Sequence, residues 1–576
     1  MSNWQSVYEK WSQFTNLDPS LKEELEKMEA DEKSLEDAFY KELTFGTGGM
    51  RGVLGPGVNR MNIYTVRKAV DGLANYLLHT KSDAKERGVA VAYDSRYMSK
   101  EFAVEAAKVL GYYGIKSYVF ESLRPTPVLS FTVRHLRTAA GIMITASHNP
   151  PEYNGFKVYN EDGAQITLEE AEVIIAEIGK VENELEVSYL EQDDVEKQGL
   201  LHWIGEEVDE AYLHELKRIS KLDEGQGNRD QLAIVFTPLH GTAYHHVTKG
   251  LAQLGFTNVA VVEEQAVPDP EFSTVSSPNP EEHQAFELAI ELGKKQNADI
   301  LLGTDPDADR LGVAVKNKQG EYQVLTGNQL GVLLLDYILS HTDQEMLQDA
   351  RMIKTIVTTE LGRAVADSYS VPTLETLTGF KFIAEKIGQF EETGEKFIFG
   401  FEESYGYLIE SFARDKDAVQ AAVMAAEMAY YYKQQGKTLL DALEDLFEKH
   451  GYYLEGMTSL TLKGKEGSEK IQRIMKEIRQ SPFEEIAGIN VQVQEDYLTA
   501  ERRILTDGTT ETIELPKENV LKFILEGNAW VCLRPSGTEP KIKCYYGVCG
   551  ESQQESDEKL QKLKETMEAR IDQIIA

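Results

Sequence analysis

Short apolar runs alternate with amphipathic stretches along this chain, and the alternation restarts twice, which restricts the fold to an α/β architecture. Residues 89–93 (Val-Ala-Val-Ala-Tyr) read as a strand, 99–113 as a helix, and 117–120 and 140–144 as further strands. Strand–helix–strand order implies βαβ units and a largely parallel sheet, because parallel neighbours need a crossover long enough to hold a helix. The pattern begins again with strands at 232–236, 258–262 and 299–302 and a helix near 245–254. It begins once more after 325, with helices at 329–340 and 417–434 and a strand at 352–357. After about 450, strand candidates (459–462, 520–524, 530–533, 542–546) mix with helices at 468–479 and 556–575. The reading is three similar α/β domains with mixed or parallel sheets, at 1–210, 211–325 and 326–450, followed by an α+β domain at 451–576. A chain of 576 residues exceeds what a single core holds, so division is expected. The first forty residues are polar and helical in pattern, with Leu21, Leu25, Met28 and Leu35 set among Lys and Glu. No sequence repeat accompanies the structural period.

The formal net charge is −36, which argues against a nucleic-acid partner, since phosphates call for a basic face. No apolar run approaches the roughly eighteen residues of a membrane span, and the start lacks a basic region followed by an apolar one. A cytoplasmic protein is expected. Cys532, Cys544 and Cys549 have no CxxC spacing and read as reduced thiols in a C-terminal core. If the ligand is an anion, the global field repels it, and the site must gather cations locally.

Four loops carry chemistry, each where a strand gives way to a loop, the place ligands gather in open sheets. The first is Thr145-Ala146-Ser147-His148-Asn149-Pro150, which displays a serine on a turn closed by proline. It has no GxSxG context, so a hydrolase elbow is not supported, and alone it also reads as a locally satisfied turn. The second is Gly303-Thr304-Asp305-Pro306-Asp307-Ala308-Asp309-Arg310. Three carboxylates at alternate positions suit a hard cation such as Mg²⁺. A calcium loop would need Gly and Glu where Arg310 and Lys316 stand. The third is Gly400-Phe401-Glu402-Glu403-Ser404-Tyr405-Gly406, whose carboxylate and hydroxyl can bridge sugar hydroxyls. The fourth, Arg534-Pro535-Ser536-Gly537-Thr538-Glu539-Pro540, offers a guanidinium, hydroxyls and backbone N–H groups as a phosphate cradle. Gly436-Lys437-Thr438 is no P-loop, because Tyr431 stands where the first glycine belongs; Gly436 reads as a helix end.

These loops in this order resemble the α-D-phosphohexomutase superfamily, the phosphoglucomutase/phosphomannomutase family. Phe45-Gly46-Thr47-Gly48-Gly49-Met50-Arg51-Gly52, Arg124-Pro125-Thr126-Pro127 and Thr378-Gly379-Phe380-Lys381 extend the likeness across nearly the whole chain. The resemblance implies four domains around a central active-site cleft, each supplying one loop. It implies a phosphorylated Ser147 that gives its phosphoryl to a sugar phosphate, forms a bisphosphate, and recovers a phosphoryl after the sugar turns. One Mg²⁺ per subunit would be held by Asp305, Asp307, Asp309 and the Ser147 phosphate. Arg51, Arg310 and Lys381 would surround the reacting phosphate, with Lys381, His148 and Arg51 as acid/base candidates. Glu402 and Ser404 would hold sugar hydroxyls, Arg534, Ser536, Gly537 and Thr538 the other phosphate, and Thr47, Thr378 and Gly379 would join in binding. Phe401 and Tyr405 depart from the commonest form of the sugar loop and are similar to the longer bacterial members. That implies glucose 1-phosphate and glucose 6-phosphate as substrates and glucose 1,6-bisphosphate as intermediate and activator. Mannose or pentose phosphates stay open, as do a metal-dependent phosphatase and a non-catalytic sugar-phosphate binder. Nothing indicates the oligomeric state.

Overall fold

A computed structural model describes residues 3–223, 227–462, 464–536 and 541–576. The chain forms two compact units, residues 1–330 with 380–438, and residues 331–379 with 439–576. Among the described residues no helix is long and apolar enough to cross a membrane.

In the first unit a six-stranded sheet runs Gly49–Val53, Tyr153–Tyr159, Ala140–Ile144, Val89–Tyr93, Ser117–Phe120, Leu201–Ile204. The last four are mutually parallel, whereas Tyr153–Tyr159 and Gly49–Val53 add antiparallel at one edge. A five-stranded sheet repeats the plan. Val259–Val261, Ile234–Thr237 and Ile300–Thr304 are parallel, and Leu311–Lys316 and Tyr322–Val324 follow antiparallel. The sequence pattern marks the parallel strands and passes over the antiparallel ones. Tyr153–Tyr159 and Leu311–Lys316 follow a chemical loop directly, with no intervening helical pattern to announce a new element. The mixed sheets expected from the sequence are therefore present, with the antiparallel share larger than the helix alternation indicates.

Three N-terminal helices, Asn3–Gln13, Pro19–Met28 and Glu32–Phe39, cover the first sheet's flank with a core of their own around Trp11, Leu25, Phe39 and Tyr64. Trp11 is wholly buried and donates from Nε1 to Glu184 Oε1 at 2.7 Å. The helix Ala418–Gln434 is buried on all sides from Ala418 to Tyr430, as its run of alanines permits. It ends as expected: Gly436 takes φ 73°, with Lys437 N donating to Tyr432 O at 3.0 Å.

The second unit pairs Ala350–Thr355 with Thr373–Thr376 in parallel, and carries an antiparallel sheet ordered Tyr452–Thr461, Lys541–Gly550, Trp530–Pro535, Leu521–Leu525, Ile489–Asp496, Glu501–Ile504, Thr509–Thr512. Helices Gly464–Gln480 and Gln553–Ile575 cover it. Glu375 joins the two parts, pairing with buried Lys354 at 2.8 Å, which also meets Glu360 at 2.9 Å, and standing 3.8 Å from Lys522 of the larger sheet. Cys532 and Cys544 are buried free thiols in this sheet and Cys549 is half-buried, as the sequence implied.

Asp417 caps the buried helix, accepting from Val419 N at 3.0 Å and Gln420 N at 2.9 Å, and Tyr212 Oη donates to it. Burial pushes its pKa from 3.8 up to about 6, so the folded state holds its proton more tightly than the unfolded state does. Its contribution to stability is complete below 3.8 and is lost as pH rises through about 6. Asp417→Asn keeps the capping oxygen and removes the ionisation. The Tm of the variant relative to wild type should therefore rise as pH is taken from about 4.5 to about 7, and a difference independent of pH would refute the assignment.

Candidate active site

All four chemical loops lie between antiparallel strands that are paired up to the loop. Ile144 pairs with Phe156, Thr304 with Leu311, Glu402 with Gly406, and Pro535 with Ile542. Such pairing anchors a loop from both sides, which suits side chains that must be held in one orientation. The three loops of the first unit each hold a non-glycine residue in left-handed backbone: Ser147 (φ 52°), Ala308 (φ 56°) and Tyr405 (φ 65°). Such conformations cost on the order of 1 kcal/mol and concentrate at functional sites. Gly155, opposite the serine loop, is glycine for a steric reason: a Cβ there would lie 2.5 Å from Thr145 O.

The serine and aspartate loops meet. Ser147 Oγ donates to Asp305 Oδ2 at 2.8 Å and lies 3.1 Å from His148 Nδ1. Ser147 is 3% exposed, and Asp305, Asp307 and Asp309 at most 2%, so the contact is dry. One oxygen from each aspartate lies within 4.8 Å of the others. Burial and the neighbouring Asp307 and Asp309 raise the Asp305 pKa well above the carboxylate range. Asp307 Oδ1 and Asp309 Oδ1 are buried without a hydrogen-bond partner. Three converging carboxylates, two with idle buried oxygens, fit a hard divalent cation.

Cations that the sequence reading did not single out neutralise part of this charge. Lys157, from the strand after the serine loop, stands 2.9 Å from Asp307 Oδ2 and 3.6 Å from Asp309 Oδ2. Lys416, just before the buried helix, stands 3.1 Å from Asp309 Oδ2. Burial, the largest single influence, favours neutral amines, but Asp307 and Asp309 together at Lys157, and Asp309, Asp415 and Glu402 together at Lys416, hold both above the usual lysine value. Thr126 Oγ1 adds a bond to Asp307 Oδ2 at 2.9 Å. The aspartate loop is also gripped through its backbone: Asp307 O accepts from Thr126 N, Pro306 O from Thr242 N and Ala308 O from Ala418 N. Arg310 N and Asp309 N donate to Asp305 Oδ1 at 3.0 and 3.1 Å. The Arg310 guanidinium pairs with Glu281; burial works most strongly against its charge, but Glu281, Asp309 and Asp305 together raise its pKa, and its backbone bridges to Gly406 in the sugar loop. Lys157 had one legible signal, the lone charged residue of its strand; Lys416, inside Arg414-Asp415-Lys416-Asp417, had none.

The remaining expected residues divide between the units. Glu402 is 4% exposed at the end of its strand, with Ser404 half-buried beyond it. Arg51 donates from Nη1 to Asn149 Oδ1 at 2.6 Å, next to the serine loop, and Lys381 Nζ donates to Thr47 O at 3.4 Å. Burial, then Arg310 and Arg51, push His148 down to about 3, so its imidazole is neutral. Thr378 and Gly379 belong to the second unit, as do Arg534 and Ser536, where Arg534 sits across the ladder from Lys543 and 3.7 Å from Glu518. Gly537 and Thr538 lie outside the described residues.

Residues 42–185, 210–320 and 326–450 match α/β/α domains I, II and III of the phosphoglucomutase/phosphomannomutase family, and 489–567 match its C-terminal domain. A phosphoglucomutase of Staphylococcus aureus (strain bovine RF122 / ET3-1) is 43% identical over 514 residues, 89% of this chain and 90% of that protein. Among solved structures, a putative phosphomannomutase from Thermus thermophilus superposes with TM-score 0.67 at 23% identity, covering 92% of this chain and 99% of that one. The Paramecium phosphoglucomutase parafusin, in an open form, gives 0.66 at 17% identity, covering 93% and 95%. With most of its length matched and that identity, the chain belongs to the phosphoglucomutase/phosphomannomutase family of phosphosugar isomerases.

If the three aspartates hold a divalent cation, millimolar Mg²⁺ should raise the apparent Tm of the wild type, because binding to the folded state alone stabilises it. Asp305→Asn combined with Asp309→Asn should abolish that rise. An equal rise in the double variant would place the cation elsewhere.

Proposed function

We propose that this protein interconverts glucose 1-phosphate and glucose 6-phosphate, with Ser147 as phosphoryl carrier and glucose 1,6-bisphosphate as intermediate. The observation that carries the reading is Ser147 Oγ buried 2.8 Å from Asp305, inside a three-aspartate loop with idle oxygens. The likeness to the Staphylococcus aureus phosphoglucomutase supports glucose as the sugar. A sugar hydroxyl oxygen attacks the phosphorus of phosphoserine 147 and gives its proton to a base, the P–Oγ bond breaks, and the departing Oγ takes up a proton to become the free Ser147 hydroxyl. His148 Nδ1, 3.1 Å from Oγ, stands on the leaving-oxygen side, where it can exchange a proton with Ser147. The bisphosphate turns, and its other phosphate is returned to Ser147.

Asp305, Asp307 and Asp309 would hold one Mg²⁺, which when bound offsets charge on the transferring phosphoryl group. Lys157 and Lys416 offset part of the charge of Asp307 and Asp309, and Arg51, Arg310 and Lys381 face the reacting phosphate. Glu402 and Ser404 hold the sugar in either direction, assisted by Thr47, Thr378 and Gly379. Arg534, Ser536, Gly537 and Thr538 take the distal phosphate. The division at 210, 325 and 450 is part of this reading, supported by the four family matches. The cytoplasm, where sugar monophosphates are made and used, is the compartment it requires.

The test compares kcat/KM for the 1-phosphates of glucose, mannose, ribose and N-acetylglucosamine, with Mg²⁺ and a trace of bisphosphate. Glucose should lead by about tenfold or more, a margin of on the order of 1.4 kcal/mol in transition-state binding. Ser147→Ala should lower kcat by about 10³-fold or more. A lead for another sugar would replace the substrate, and release of inorganic phosphate at the turnover rate would make the protein a phosphatase.

A further inference from the structure

Arg96 lies outside every residue set assigned so far, yet it holds the serine loop more completely than any other side chain. Its side chain has no solvent exposure. Nη2 donates to Ser147 O at 2.5 Å and to Asn149 O, and Nη1 donates to Pro150 O at 2.8 Å and Tyr153 O at 3.1 Å. One guanidinium thus collects four carbonyls from the stretch that begins at the serine. On its other edge, Nε faces Asp94 Oδ2 at 3.4 Å, and its plane lies over the ring of Phe272, 4.9 Å away.

The support behind Arg96 is equally built. Asp94 Oδ1 accepts from Arg96 N at 2.9 Å and from Ser99 Oγ at 2.7 Å, and Asp94 N donates to Ile144 O, at the end of the strand that delivers the loop. Asn154, wholly buried, donates to Tyr97 O and Ser99 Oγ from the far side. A buried loop outside helix and sheet leaves carbonyls that must find donors. A planar fork with five fixed N–H groups can serve four of them at once, which an ammonium on a flexible stem cannot. Ser147 itself sits at φ 52°, a conformation an L-residue keeps only where its surroundings impose it.

We propose that Arg96 is the positioning residue of the phosphoryl carrier: by fixing the carbonyls of Ser147, Asn149, Pro150 and Tyr153 it sets the direction of Ser147 Oγ toward Asp305. Phe272, from the block that carries the aspartate loop, keys the two loops together through the same guanidinium. The inference rests on Ser147 being the carrier, and the controls separate the two claims.

Arg96→Lys, Arg96→Ala and Ser147→Ala are compared in the glucose 1-phosphate assay, with Tm recorded for each. Misplacement of a reacting group by about 1 Å costs on the order of 10²-fold, so Arg96→Lys should lower kcat by about 10- to 100-fold with KM changed less than about threefold. Millimolar guanidinium should restore part of the activity of Arg96→Ala, and ammonium should not, a response that a general packing defect does not give. Wild-type kcat in Arg96→Lys, or a folded Arg96→Ala that guanidinium leaves unchanged, overturns the proposal. If Arg96→Ala does not fold, Asp94→Asn and Phe272→Leu loosen the fork while leaving it in place. Each should lower kcat at constant KM, and wild-type kcat in both overturns the proposal. Full turnover in Ser147→Ala would instead overturn the carrier reading and leave the loop geometry as it stands.

Discussion

Burying three carboxylates against one another is the constraint around which the first unit is organised. Asp305, Asp307 and Asp309 are at most 2% exposed, and moving an ion out of water costs several kcal/mol even after relaxation. The compensation comes from positions far apart in the sequence. Lys157 arrives from the strand behind the serine loop and Lys416 from the segment before the buried helix. Thr126 and Thr242 from two further segments, and Ala418 beside Lys416, grip the loop's carbonyls. Remove the aspartates and these groups are buried cations and donors without purpose; remove the cations and the aspartates lose the charges that offset their burial. Two lysines against three carboxylates leave a deficit of positive charge, which is the condition for binding a divalent cation rather than merely closing an ion pair.

The same demand for a fixed arrangement explains why the loops lie between paired antiparallel strands. A phosphoryl carrier must point one way, and a connection between a strand and a helix is held firmly at one end only. Pairing Ile144 with Phe156 and Thr304 with Leu311 clamps each loop at both ends. The clamp in turn supports left-handed backbone at Ser147, Ala308 and Tyr405, which free turns would relax. Cations are therefore local, as a phosphate site in a protein of net charge −36 requires, while the acidic excess is spread over the helices.

Much of this is legible without coordinates. Apolar runs at 89–93, 117–120 and 140–144 are strands in place, because a strand buried on both faces advertises itself as a continuous apolar run. Tyr153–Tyr159 and Leu311–Lys316 escape such a reading, since a strand that directly follows a functional loop has no helical pattern before it to mark its start. The aspartates stand out because three carboxylates at that spacing have few other uses, and Ser147, ambiguous alone, stands out in their company. Lys157, Lys416 and Arg96 do not, because a single Lys or Arg in sequence is most often a solvated surface residue.

The sequence by itself determined the order of strands and helices, the identity of the four chemical loops and the family to which they belong, since periodicity and motif spacing are local properties of the chain. Only the tertiary structure decided which charges meet. Lys157 reaches Asp307 across 150 positions, and Arg96 reaches Ser147 across 51. Such pairs are set by the low dielectric of a shared interior, where an unpartnered ion is too costly to keep and the fold brings whichever counter-charge its topology places nearby.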